Sequence, residues 1–391
     1  MKIAVVHNVP AGGMKRALYE QVKRLAKKHT IDVYALSCAD ETFLSLKPYA
    51  RRYSIYRYDP PEHFPKSVAS IYFQLPKVYK EMAVVINAEK YDVALVNPCF
   101  LTQSPYILRY LTMPTLYQCP EPKREFYEKM PRVGKKWTYL ATLPFRIPIK
   151  FIDRANARKA TMVFVHSMYS QKRVKDSYGI DAFVNYLGVD PQHFRNTETS
   201  REKMILTVGD LSLHKGYDFL IRSVGKIPIK ERPRLLAVGH SGSERGYIEK
   251  LAKESKVQLT VYKNLGDAEL VHLYNKAGVF AYAPHNEPFG LVILEAAACG
   301  LEAVAVGEGG VPELIDDPIV GRIVRRDEKE FAQVLQEVLD KKEKSDSRSK
   351  RSEYVQKKWN WEKSVGELER LLTSVTSDSS TSGESIRPPP R

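Results

Sequence analysis

Short apolar runs alternate with helix-periodic segments along this 391-residue chain, and they do so in two successive series. In the first, Ile3–Val6, Ile31–Leu36, Val93–Val96, Thr115–Tyr117 and Met162–Val165 read as strands. Residues 14–28, with Leu18, Val22 and Leu25 at helical spacing, read as the first helix. The second series opens at Met204–Val208 and continues with Leu235–Val238, Gln258–Tyr262, Val279–Tyr282 and Ala303–Val306. Helices are predicted between them at 216–226, 244–255, 267–277, 290–299 and 327–341. Strand, Gly-bearing loop, then helix is the start of a doubly wound α/β unit. The predicted class is therefore α/β, with two doubly wound, Rossmann-like domains and a cleft between them. The expected boundaries are 1–190 and 191–345, then a helical segment over 346–373. The tail, 374–391, is rich in Ser, Thr and Pro and is expected to be disordered.

The apolar fraction of 43% suffices for two cores, and no apolar run approaches the ~20 residues that span a bilayer. Lys2-Ile3-Ala4-Val5-Val6 reads as a buried strand, because it is too short for a signal peptide and lacks a cleavage pattern. Cys38, Cys99, Cys119 and Cys299 are scattered, without metal-ligand spacing, so reduced thiols and a cytoplasmic setting are expected. The net charge of +15 concentrates in part between residues 121 and 160, where eleven Lys and Arg face four acidic residues. Phe126, Tyr127, Trp137, Tyr139, Phe145 and Phe151 are interleaved with them. That mixture suits an anionic membrane surface; it also suits nucleic acid or a solvated basic face.

Residues 284–295 carry the chemistry: Pro284-His285-Asn286-Glu287-Pro288-Phe289-Gly290-Leu291-Val292-Ile293-Leu294-Glu295. On one continuous helix Glu287 and Glu295 would stand roughly 80° apart around the axis and about 12 Å along it, so they would not converge. Pro288 and Gly290 predict instead that Glu287 lies in a loop and that a helix opens near Phe289 or Gly290. Amides at a helix start favour phosphate, and carboxylates accept hydrogen bonds from hydroxyls. Together they suit a nucleotide sugar.

This stretch, followed by Gly309-Gly310-Val311-Pro312-Glu313-Leu314-Ile315, resembles the Glu-x7-Glu signature of the retaining glycosyltransferases of family 4. Further segments agree in order: Gly12-Gly13, Asp153-Arg154-Ala155, Val163-Phe164-Val165-His166-Ser167, Leu187-Gly188-Val189-Asp190 with Phe194, Val208-Gly209-Asp210 with Lys215-Gly216, and Trp359-Asn360-Trp361-Glu362. The resemblance covers roughly residues 1–372. It implies the GT-B fold, with the segment 346–373 crossing back to the first domain. It also implies hexosyl transfer from a nucleoside-diphosphate sugar to a glycan, lipid-linked or other hydroxyl acceptor, without a metal or other cofactor. By carry-over, Glu287 holds the sugar hydroxyls, Lys215 neutralises the diphosphate and Glu295 accepts from the ribose. Gly12, Gly13, Gly209, Phe289, Gly290 and Leu291 line the donor, and lipid-linked acceptors imply a peripheral place at the inner membrane face.

Three positions depart from the family pattern. Pro120 stands where a His contacts the donor sugar, Asp210 stands where an Arg assists the Lys, and Glu302 replaces a Pro, where a changed turn is expected. His7 could approach the same cleft, and His240 and His285 also border it, although a His at a strand end is more often simply packed or solvated; Lys15 and Arg16 could add charge at the first helix start or stand exposed to solvent. The rival reading is a non-catalytic relative that binds a nucleotide sugar or glycan. Nucleic-acid binding rests on charge alone, and a dinucleotide oxidoreductase is disfavoured because no Gly-x-Gly-x-x-Gly loop follows the first strand.

Overall fold

The computed structural model describes all residues except 129–135, 240, 241, 243, 264, 342, 344 and 379–391. The chain forms two compact units, Met1–Tyr186 with Glu362–Arg391, and Leu187–Trp361.

The first unit holds seven strands: β1 (Lys2–Asn8), β2 (Thr30–Leu36), β3 (Arg52–Tyr56), β4 (Val93–Cys99), β5 (Thr115–Gln118), β6 (Met162–Val165) and β7 (Phe183–Val184). They pair in parallel in the order β3-β2-β1-β4-β5-β6-β7, so the winding reverses between β1 and β4. β1 and β4 are almost wholly buried, which is why they read as unbroken apolar runs. β3 escapes that pattern. It pairs with β2 alone and exposes Arg52 and Ile55, so an edge strand carries no continuous apolar signal.

The second unit holds β8 (Glu202–Val208), β9 (Arg234–Gly239), β10 (Leu259–Lys263), β11 (Ala277–Tyr282), β12 (Ala303–Val306) and β13 (Gly321–Val324). Their order is β10-β9-β8-β11-β12-β13, again all parallel, with Ile205 opposite Val279 and Leu206 opposite Phe280 across the reversal. Its core packs Leu220, Val224, Phe331 and Leu335 of the flanking helices on Ile205, Leu235, Val279 and Val304 of the sheet.

Several expectations need correction. The residues expected to form one segment, 346–373, are two helices. Ser345–Lys358 belongs to the second unit, while Trp361–Asp378 lies almost wholly in the first, where Glu362 meets Arg24 at 3.1 Å and Glu369 meets His29 at 3.0 Å. The first unit ends at Tyr186, not at residue 190, and helix continues to Asp378 where the tail was expected to begin; residues 379–391 lie outside the described residues. The helix Lys66–Ala88 starts shortly after Pro60 and Pro61 and carries Pro76 inside it. A second helix, Lys136–Ala157, contains Pro144 and Pro148. Interior proline removes one amide and clashes with the preceding turn, so it masks a helix in sequence; burial of Leu75, Tyr79, Met82 and Ile86 offsets that cost in the first of them.

Glu302 does more than change a turn. It is 5% exposed and sits between Arg322, at 3.2 Å, and Arg351, at 3.3 Å. Arg351 reaches it from the helix Ser345–Lys358 and also pairs with Glu343 at 2.6 Å. The acidic residue at 302 thus fastens that helix to the sheet.

Candidate functional site

In open parallel sheets, ligands meet the carboxyl ends of strands where the winding reverses. In the second unit that point lies between β8 and β11, and the residues singled out in sequence follow those two strands. After β8 come Gly209, a 3-10 turn over Leu213–Lys215, and the helix Tyr217–Lys226. After β11 come the loop bearing Glu287 and the helix Leu291–Ala298, capped by Gly290 in a left-handed conformation (φ 105°). The helix opens one residue later than predicted. Its first amides lack acceptors within the helix, as at any helix start.

The two loops are joined. Lys215 Nζ donates to Glu287 Oε2 at 3.0 Å and lies 3.2 Å from Oε1, and the amide of His285 donates to the carbonyl of His214 at 2.8 Å. Both side chains keep partial access to solvent, 27% for Lys215 and 14% for Glu287. Gly209 lies alongside the stem of Lys215, and the Tyr217 hydroxyl donates to its carbonyl at 2.6 Å. Gly216 (φ 68°) is required here, since a Cβ would fall 2.0 Å from the carbonyl oxygen of Ala283.

Glu295 stands one turn inside the helix and is buried, with one carboxylate oxygen accepting from the Tyr274 hydroxyl at 3.1 Å. Phe289 and Leu291 are buried, and Phe289 packs edge-on against Trp359. Their side chains hold the helix start in place.

Sequence reasoning missed the clamp beneath this loop. Arg326, just past β13, donates to the carbonyls of Ala283 (3.0 Å) and Pro284 (2.8 Å) and to both oxygens of Glu308 (2.6 and 2.9 Å). His285 approaches Glu308 at 3.6 Å. Burial would raise the Glu308 carboxyl, but hydrogen bonds from His285 and Arg326 outweigh it and hold it at about 2. With the folded value below that of the unfolded chain, this stabilisation is complete above the ordinary carboxylate range and disappears as pH falls through about 2. Glu308→Gln is therefore expected to be less stable than wild type at pH 7, with the gap closing towards pH 2; urea unfolding across pH measures it. A gap that does not vary with pH would refute the linkage.

Gly309 completes the loop from β12. It has φ 68°, and a Cβ would lie 2.2 Å from the Glu287 carbonyl oxygen, while Gly310 N donates to that oxygen at 2.7 Å. Gly309→Ala is expected to lose roughly 1–3 kcal/mol through strain and to push Glu287 off Lys215. Gly246→Ala, whose Cβ would meet nothing, is the control and should be neutral in the same unfolding measurement.

In the first unit, Gly12 caps the helix Gly13–Leu25 after β1, and added Cβ atoms at Gly12 or Gly13 would meet nothing within 4 Å. Lys15 is fully buried and pairs with Glu41 at 2.5 Å, and Arg16 lies on the Phe43 ring. His7 is also buried, 3.4 Å from Glu41 and 3.3 Å from the Tyr53 hydroxyl, and burial lowers its pKa. It therefore belongs to an internal polar cluster. His166 is likewise internal: its Nδ1 meets the Asn185 carbonyl at 3.0 Å and its Nε2 meets Gln118 Nε2 at 2.8 Å. Burial, partly offset by the Asn185 bond, lowers it to about 4, so it stays neutral, with Nδ1 donating and Nε2 accepting. His240 lies outside the described residues.

The two parallel sheets and flanking helices define the class, a GT-B-type α/β fold. In fold the chain is similar to sucrose-phosphate synthase from Thermosynechococcus elongatus (TM-score 0.77, 20% identity, 96% of this chain and 99% of that one). It is also similar to Anabaena HepE crystallised with UDP and glucose (TM-score 0.72, 17% identity, 96% and 100%). By sequence, residues 189–358 match the family Glycosyl transferases group 1. A curated relative, a probable sucrose-phosphate synthase from Thermosipho melanesiensis, is 29% identical over 251 residues, 57% of this chain. The match spans 58% of that relative's length.

Proposed function

We propose that this protein is a retaining, metal-independent hexosyltransferase of family 4 that takes its sugar from a nucleoside diphosphate. The observation that carries the reading is the Lys215–Glu287 pair at 3.0 Å beside a helix start, at the point where the sheet winding reverses. Lys215 and the amides of Gly290 and Leu291 meet the diphosphate, so developing negative charge on the leaving group finds fixed positive charge. Glu287 turns its carboxylate to the sugar hydroxyls. Glu295, oriented by Tyr274, accepts from the ribose. Gly12 and Gly13 give the first unit's loop room to approach phosphate. The UDP held by the structurally similar Anabaena protein supports uracil as the base to try first. The acceptor is a glycan, a lipid-linked sugar or another hydroxyl compound, and the reading includes contact with an anionic membrane.

Pro120 and Asp210 favour one rival, a nucleotide-sugar binder without turnover. Release of nucleotide from UDP-, GDP- and ADP-sugars, with Lys215→Ala as control, separates the two. Release from one donor that disappears in the variant supports the transferase. Binding that depends on Lys215 without release, over a panel of acceptors, supports the rival.

A further inference from the structure

We propose that the outer face of the helix Lys136–Ala157, with the amino end of the helix Lys66–Ala88, seats on an anionic phospholipid bilayer. The inference deepens the membrane contact included in the proposed function and assumes nothing about catalysis. It rests on a helix whose solvent-facing side is apolar. On Lys136–Ala157 the inward side carries Asp153 and Asn156 beside the buried Ile149 and Ala157. Asp153 accepts from the Ser104 amide at 2.9 Å and the Tyr178 hydroxyl at 2.5 Å, and Asn156 donates to the Ser104 carbonyl at 2.8 Å. The outward side is apolar. Leu140, Pro144, Ile147 and Phe151 are exposed and recur at helical spacing, with Phe145 beside them; Phe145 is 57% and Phe151 is 65% exposed. An amphipathic helix in water keeps its apolar side inward.

The neighbouring helix extends this face. The Tyr72 hydroxyl donates to the Phe145 carbonyl at 2.6 Å, the Phe64 and Phe145 rings meet edge-to-face at 5.3 Å, and Phe73 is 77% exposed. Lys66, Lys77 and Lys80 stand exposed around Phe73, and Arg154 is exposed at the far end of the other helix. Glu81 is the one exposed carboxylate these two helices carry among the described residues. Aromatic and aliphatic side chains ringed by cations match the interface of a bilayer, where apolar groups enter the acyl boundary and cations meet phosphate. A second copy would set these cations against their own kind. Among the described residues no helix is long and apolar enough to cross a membrane, which leaves a contact in the plane of the surface. Lys129, Arg132 and Lys135 of the basic stretch lie outside the described residues.

Flotation of the full chain with phosphatidylcholine vesicles, with and without phosphatidylglycerol, tests the inference. Wild type is expected to float with the anionic vesicles at low salt and to leave them as salt rises. The double variant Phe145→Asp/Phe151→Asp, changed at exposed positions, should keep the wild-type unfolding midpoint and partition about tenfold less or lower. Lys66→Gln/Lys77→Gln/Lys80→Gln should weaken binding and flatten its salt dependence. No flotation of wild type at low salt, or flotation of the Asp double variant like wild type, would overturn the inference. Self-association of wild type in sedimentation that the Asp variant abolishes would overturn it too, by giving the face to a second copy. Nucleotide release from the donor in the presence of a water-soluble acceptor is scored separately. Vesicle binding without release leaves this face assigned and removes the transferase reading; release without vesicle binding does the opposite.

Discussion

Glu287→Ala is expected to cut nucleotide release roughly 10²-fold or more while moving stability by only about 1 kcal/mol. The two effects separate because of where the pair sits. Glu287 and Lys215 are both partly accessible, so when one is truncated the other turns to water, and the ion pair itself contributes little to folding. Catalysis is different. A charge aimed at the reacting centre acts in a site from which substrate excludes water, and there its loss is felt in full. Lys215→Ala should match it in turnover and exceed it in lost donor affinity, because in the proposed function Lys215 faces the diphosphate in the ground state as well. Single-turnover rates and nucleotide affinities of the two variants, beside their urea midpoints, measure all of this. Turnover within a few-fold of wild type in either variant would remove that residue from the site.

Arg351→Ala is expected to destabilise the second unit by roughly 3–5 kcal/mol, the scale for breaking a buried ion pair from one side. Arg351 is 3% exposed and lies between Glu302 and Glu343, and it also donates to the carbonyls of Ile319 (2.6 Å) and Gly300 (2.7 Å). Without it two carboxylates lose their nearest buried cation and two carbonyls lose a donor. Glu302 keeps Arg322, which is partly exposed, so the collapse is local to the seat of the helix Ser345–Lys358. Urea or thermal unfolding reads the loss, and the double variant Glu302→Gln/Arg351→Met should recover part of it. A loss below 1 kcal/mol would show that water reaches the cluster.

Neither network was visible in the sequence. Arg351 and Glu302 stand 49 positions apart, and Arg326 and Glu308 belong to different strand ends. Nothing in spacing alone links them. The candidate site was legible to a different degree. Its parts fall within two short segments, each directly after a strand, and strand-then-glycine is a local signal. The histidines show the limit. His7 lies near the end of a strand and His166 and His285 follow strands, as site residues do, yet two of them are buried in internal polar clusters and the third braces Glu308.

The alternation of buried strands and helices and the Glu287–Glu295 segment were determined by the sequence alone, because each is written in neighbouring residues through the period of side-chain burial. Tertiary structure decided the rest. It paired Lys215 with Glu287, turned Lys15 inward to Glu41, seated Arg351 among carboxylates, and faced Phe145 and Phe151 to solvent. Those outcomes depend on which charges and surfaces meet once distant segments have packed. Coulomb forces and desolvation act through space, and the order of residues records them only indirectly.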